Sequence, residues 1–343
     1  MQTHRTWRAR AMTLAIVGSL ALTGCVTAGP GASEDTGSAG ETVVVSGSST
    51  VEPITSLVAE DFADATDGFE YEVDGPGTGD GFALFCDDEI DISDASRPIS
   101  EEEIAACEEN GIEYVELKVA VDGISVITSA ANTAVTCLSF VDLYALLGPE
   151  SQGLDEWSAA DALADEVAAA VGDEYGAVGT PYPDAPLEVT APGEESGTYD
   201  SFLELVIEDI AEARGQEPVA RADYTASADD NVIVNGIGTA ETSLGWVGFA
   251  FYEENAETVT ALEIDGGDGC VAPTAETIAS NEYPVSRDLF IYVNTARADA
   301  NPAVVDFVDY YLSDAGLAAV EEAGYVSLAP DAIDETRAAW DGR

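Results

Sequence analysis

Histidine is nearly missing from this 343-residue chain: the single one, His4, stands at its very start. Catalysis by a serine–histidine pair and histidine-ligated zinc are thereby excluded for everything that follows it. Basic residues are scarce too, 11 Lys and Arg against 67 Asp and Glu, for a formal charge of -56. A surface this acidic repels nucleic-acid backbones and anionic membrane surfaces, which removes both as partners. The apolar run from Ala11 to Leu22 is too short to span a bilayer. The five cysteines contain no C-x-x-C pair, the spacing most thiolate metal sites use. The acidic clusters Asp87-Asp88-Glu89 and Asp265-Gly266-Gly267-Asp268 lack the alternating ligand spacing of a calcium loop. The expectation is a chain with no metal, no cofactor and no catalytic centre.

What is present begins with an export leader. Arg5, Arg8 and Arg10 precede the short apolar run, which closes on Leu22-Thr23-Gly24-Cys25. A basic start, a short apolar segment and small residues before a cysteine describe a secretory signal over residues 1–24. The Leu-Thr-Gly-Cys ending resembles a lipobox, which implies cleavage before Cys25, a lipid on its thiol and attachment to the cell membrane from outside. Residues 25–41 are rich in Gly, Ala, Ser and Thr and cannot form a core, so they read as a flexible tether. Loss of the three leader arginines takes the formal charge from -56 to -59. With Cys25 set aside, Cys86, Cys107, Cys137 and Cys270 remain, an even number in an oxidising compartment. Three connectivities are possible. Cys86–Cys107 with Cys137–Cys270 is favoured, because the first two share one helix–loop–helix neighbourhood.

Strand-like and helix-like segments alternate. Thr42–Val45 precedes Ile54–Phe62; Tyr71–Val73 precedes a glycine turn and Phe82–Phe85; Ile104–Glu109 precedes Tyr114–Val119. Further strands are expected over Val121–Ser129, Leu187–Thr190, Gly245–Phe249, Val259–Ile264 and Leu289–Val293. Alternation of this kind predicts an α/β fold with helices on both faces of each sheet. Two junctions are rich in hydroxyls: Ser46-Gly47-Ser48-Ser49-Thr50 ahead of the first helix, and Pro192-Gly193-Glu194-Glu195-Ser196-Gly197-Thr198 ahead of a helical run over Phe202–Ala213. Exposed N–H groups and clustered hydroxyls at a helix start suit a small oxyanion, and two facing starts would make a clamp. Thr78 lies among Gly77, Gly79 and Gly81, where missing side chains let a ligand approach backbone. As a dinucleotide fingerprint this turn fails, since Asp80 and Gly81 break the G-x-G-x-x-G spacing. Arg97, following Ser96, is one of eight basic residues left after export, and a guanidinium donates two parallel hydrogen bonds to a phosphate. Arg287 is balanced between a ligand contact and an interlobe or surface salt bridge.

Taken in order, these motifs carry a resemblance. Ser46–Thr50, Gly77–Phe82, Asp91-Ile92-Ser93-Asp94-Ala95-Ser96-Arg97-Pro98-Ile99, Ser196-Gly197-Thr198-Tyr199-Asp200, Arg221–Ser227 and Pro284–Arg287 resemble the phosphate-binding lipoproteins of phosphate-specific ABC transporters, in the periplasmic-binding-protein type 2 superfamily. The likeness runs from Val43 to Asp341. It implies a two-lobed fold with the ligand cleft between the lobes, 42–120 and 287–343 forming one lobe and 121–286 the other. It also implies hinge closure, a monomer, inorganic phosphate as ligand and the membrane permease subunits of an ABC transporter as partners. By the same resemblance Ser48, Ser49, Thr50, Thr78, Ser96, Arg97, Ser196, Gly197 and Thr198 hold the ligand. Two departures stand out. Better-known members of the family carry an aspartate within the turn occupied here by Ser96, and an arginine shortly before the second turn, where this chain has Pro192. Charge recognition would therefore move to Arg97, and the acceptor of the ligand's proton to another carboxylate. Monohydrogen phosphate has a proton to donate and sulfate has none, so that acceptor sets selectivity; Asp94 and Asp200 are the candidates, with Glu195 behind them. Alternative readings are a receptor for another oxyanion or a phosphonate, an extracellular phosphatase-like hydrolase using Ser196, and a surface adhesion protein.

Overall fold

A computed structural model describes residues 42–194 and 196–343. The leader, the tether with Cys25, and Glu195 lie outside the described residues. The main sheet is built around one long strand. Strands β1 (Val43–Gly47), β2 (Tyr71–Asp74) and β3 (Ile92–Ala95) run parallel in the order β2-β1-β3. Strand β4 (Tyr114–Ser129) follows; the first lobe's share of it pairs antiparallel with the late strand Ser286–Asn294, which also pairs with β3. Beyond Gly123, β4 changes partners to Leu244–Gly248 and Val259–Ala261. The 16-residue β4 and its late partner thus cross between two lobes. A third crossing comes from the C-terminal segment, where Val121 and Val326 exchange backbone hydrogen bonds of 2.9 Å each.

Each lobe has its own cores on the two faces of its sheet. In the first, helix α1 (Glu52–Ala65) buries Ile54, Val58, Ala59 and Phe62, spaced for one helical face, against Val43, Val45, Leu117, Val119 and the C-terminal Phe307 and Tyr311. The opposite face packs Phe82 and Phe85 of helix α2 (Thr78–Cys86) on Phe290 and Tyr292. In the second lobe, Trp157, Tyr144, Phe202, Trp246 and Tyr283 are buried together, and Val326 and Leu328 of the C-terminal segment join them. Strand β4 is buried almost continuously from Val119 to Ser129, as a strand covered on both faces must be.

Local expectations need adjustment at four places. Tyr114–Val119 and Val121–Ser129 form one strand, since Ala120 carries the ladder through. Thr78 opens helix α2 rather than sitting in an open glycine turn. Its glycines serve packing: a Cβ on Gly81 would lie 2.4 Å from the Cα of Gly47, so only glycine lets the helix press on the end of β1. The run Leu187–Thr190 contributes ladder pairs at Thr190–Ala191 and one bridge from Val189 to Leu244. Val259–Ile264 divides between two sheets, its second part (Glu263–Asp265) joining Cys137–Ser139 and Cys270–Val271. Both expected disulfides are present, Cys86–Cys107 joining α2 to the helix Glu101–Asn110, and Cys137–Cys270 bracing the small sheet. No helix among the described residues is long and apolar enough to cross a membrane.

Candidate functional site

The first hydroxyl-bearing turn is held by backbone before any side chain acts. Gly47 adopts φ +147°, and a Cβ there would fall 2.1 Å from the Asp94 carbonyl, so β1 can end only on glycine. The Ser48 N–H donates to that carbonyl at 2.9 Å, and the Ser48 carbonyl accepts from Val51 and Glu52. Ser48 points inward, its Oγ accepting from the Thr50 N–H at 3.2 Å, whereas Ser49 is half-buried and Thr50 is buried. The second turn folds on Ser196, whose carbonyl accepts from Tyr199 and Asp200. Ser196, Gly197 and Thr198 are all half-buried at the start of a helical run that passes through a π-helical segment, Leu203–Ile207.

The two turns meet across the lobes. A Cβ on Gly197 would sit 3.9 Å from the Ser49 carbonyl, and the hydroxyls of Thr50 and Ser201 are 3.4 Å apart. Between them lies Arg287, from the crossing strand Ser286–Asn294. Its Nη2 donates to Ser201 Oγ at 2.6 Å and to Thr50 Oγ1 at 3.1 Å, its Nη1 pairs with Glu204, and its Nε is 3.5 Å from Asp122 Oδ2. One arginine therefore ties the first helix start, the crossing strand and the second lobe's helix together. Asp122 is buried; burial pushes its carboxyl up, while Arg287 and the Ser201 hydroxyl pull it down.

Two cavities open from this bridge. The larger, about 500 Å³, is lined by Thr78, Ser96, Arg97, Arg287 and the carboxylates Glu204, Glu208, Asp209 and Asp288. Thr78 Oγ1 accepts from the Ser96 N–H at 3.2 Å and lies 3.0 Å from Ser96 Oγ, so these two hydroxyls form one unit. The smaller, about 280 Å³, is lined by Asp122, Thr198 and Tyr325 together with Asp230, Glu254, Glu321 and Glu322.

Not every expected residue faces the seam freely. Arg97 reaches the larger cavity, but both its Nη atoms are held by Glu103 at 2.8 Å, its side chain is 45% exposed, and it lies over the Phe82 ring. Glu103 also closes a capping box with Ser100, so this pair fixes the start of a helix. Asp94 is fully buried beneath α1, where Oδ1 accepts from Thr55 Oγ1 at 3.1 Å and that hydroxyl is 3.2 Å from Tyr311 OH. Burial pushes the Asp94 carboxyl well above the usual range. Asp94 lines neither cavity; Asp200 is exposed, its carboxyl raised by burial and Glu204 and lowered by Arg287. Sequence reasoning passed over Asp122, Ser201 and Glu204 and ranked Arg287 below Arg97. A signal for Asp122 existed: it is the only charged residue in the apolar run Val119–Ser129.

Two lobes, crossing strands and facing helix starts define the class of cleft-type binding proteins. The chain belongs to the PBP superfamily, whose domain model matches residues 32–315, and within it to the family of PstS phosphate-binding proteins. It is 37% identical over 296 residues to Protein SphX of Synechocystis sp., covering 86% of this chain and 80% of that one. It is 31% identical over 317 residues to the phosphate-binding protein PstS of Staphylococcus saprophyticus, covering 92% and 88%. Among solved structures, a possible phosphate binding protein from Planctomyces limnophilus superposes with a TM-score of 0.76 at 34% identity, over 88% of this chain and 98% of that one. The family is one of substrate-binding receptors rather than enzymes.

Proposed function

We propose that this protein is an extracytoplasmic receptor that captures inorganic phosphate between its lobes and delivers it to an ABC permease, working as a monomer tethered through a lipid on Cys25. The observation that carries the reading is the apposition of the Ser48–Thr50 and Ser196–Thr198 turns with Arg287 between the lobes. Phosphate oxygens accept from N–H and O–H donors, and both turns supply them. Arg287 takes the charge-neutralising role expected of Arg97. Its partner Glu204 is half exposed, and an ion pair to so exposed a group contributes little, so exchanging Glu204 for a ligand costs little. Arg97 would have to leave a bidentate carboxylate that also caps a helix.

Isothermal titration of the protein, stripped of bound phosphate, tests this. Phosphate should bind tightly and sulfate far more weakly. Arg287→Ala should lose about 2–4 kcal/mol of phosphate affinity, since hydrogen bonds to charged groups contribute roughly 1.5–3 kcal/mol each, and Arg97→Ala less than about 0.5 kcal/mol. Binding of neither anion would refute the receptor reading; the reverse order of the two variants would return the charge role to Arg97.

A further inference from the structure

The larger cavity offers more room than a phosphate ion fills. Its volume of about 500 Å³ lies in the range of sites for organic ligands, and its lining is divided by charge. The first lobe and the crossing strand bring Arg287 and the Thr78–Ser96 hydroxyl pair. The second lobe's helical run brings Glu204, Glu208 and Asp209. Arg97 and Asp288 also reach the cavity, but they are committed to Glu103 and Lys118. Glu204 pairs with Arg287, whereas among the described residues neither Glu208 nor Asp209 forms an ion pair with Lys or Arg. Partial burial, then the neighbouring Glu204, Glu212 and Asp209, push the Glu208 carboxyl up, as negative charge does when no cation offsets it. An acidic wall alone defines no site. This one shares a single cavity with two hydroxyls and with Arg287, whose Nε is buried without a hydrogen-bond partner.

Resting on the receptor reading above for its anionic end, we propose that this cavity also admits phosphomonoesters and phosphonates whose short organic arm ends in an ammonium group. Arg287 and the hydroxyls hold the phosphoryl oxygens, and Glu208 with Asp209 holds the ammonium. Inorganic phosphate occupies only the first end and meets the carboxylates of the second as repulsion. An ammonium donates up to three hydrogen bonds, and those to carboxylates are charge-assisted. Glu204, displaced from Arg287 by the phosphoryl group, becomes a further acceptor for it, so the ion pairs are exchanged rather than lost. Leu205 and Pro98, on the same cavity, offer apolar surface to the carbons of the arm. The ammonium also lowers the ligand's net negative charge by one, which favours its approach to a chain of formal charge -56. An uncharged alkyl arm gains only the apolar contact.

The test is calorimetric titration of the phosphate-stripped protein with aminoethylphosphonate, O-phosphoethanolamine, ethylphosphonate and inorganic phosphate. Both amines should bind about 10-fold or more tightly than ethylphosphonate, the gain expected of one charge-assisted hydrogen bond. An advantage confined to one amine would restrict the class to its linkage, ester or phosphonate. In Glu208→Gln/Asp209→Asn the advantage should vanish while affinity for inorganic phosphate holds or rises. Wild type that binds the amines no better than ethylphosphonate would overturn the proposal, and so would an advantage that survives in the double variant. Phosphate binding without any advantage for the amines refutes this proposal and leaves the receptor reading standing; failure of all four compounds to bind refutes both.

Discussion

A carboxyl group shut away from water with an incomplete set of donors titrates high, and Asp94 is such a group. It receives one hydrogen bond, from Thr55, and its Oδ2 has none; burial is the dominant cause of its raised pKa. The folded state therefore keeps this proton at pH values where an unfolded chain, with a carboxyl near about 3.9, has already lost it. The stabilisation is complete below the unfolded value and is lost as pH rises toward the folded one, by about 1.4 kcal/mol per pH unit. Asp94→Asn mimics the protonated group at every pH. Its advantage over wild type in urea unfolding should be small near pH 4 and grow toward neutrality. A difference that stays flat over that range would mean that Asp94 is charged in the folded protein. Residue-scale legibility follows the same division between local and distant causes. The helix-start positions of Ser48–Thr50 and Ser196–Thr198 were readable because strand, turn and helix are contiguous there, whereas the pairing of Thr78 with Ser96 spans 18 residues and was not. For Arg287 the interlobe ion pair was one of the two readings, but its partners Thr50 and Ser201 were not legible, because they lie 237 and 86 residues away in sequence.

Among the elements, the disulfides brace loops of very different length. Cys86 and Cys107 are 21 residues apart and Cys137 and Cys270 are 133 apart. Loop-closure entropy assigns upper limits of about 3 and about 5 kcal/mol to the two bridges. The Cys137→Ser/Cys270→Ser protein should therefore be the less stable of the two double variants in denaturant unfolding. A smaller loss there than in Cys86→Ser/Cys107→Ser would show that native-state strain or residual structure in the unfolded chain outweighs loop length. Strands and helices with a simple period were legible: β1 from its run of valines, α1 from Ile54, Val58 and Phe62. The C-terminal helix Pro330–Asp341 was passed over, although Pro330 stands in its first turn as helix starts favour. The continuity of β4 was hidden because its two halves belong to different lobes, a division that is tertiary and leaves no mark on period.

At the scale of the whole molecule, net charge and local site pull in opposite directions. The chain carries a formal -56, and the walls of both cavities bring carboxylates close to the bridge between the lobes. A dianion approaching from solution meets repulsion from the surface before it reaches the proposed site at Arg287 and the two helix starts, whose attraction acts only over short distances. Added salt shortens the reach of the surface field, to about 10 Å at 0.1 M and about 3 Å at 1 M, and leaves the buried donors nearly untouched. Phosphate association should therefore speed up as ionic strength rises, while dissociation, which at the proposed site breaks desolvated hydrogen bonds, changes less. Stopped-flow kinetics across that range of an inert salt would decide it. An association rate that falls with salt would mean that the positive potential of Arg287, Arg97 and the helix starts extends beyond the mouth of the cleft and outweighs the acidic surface around it.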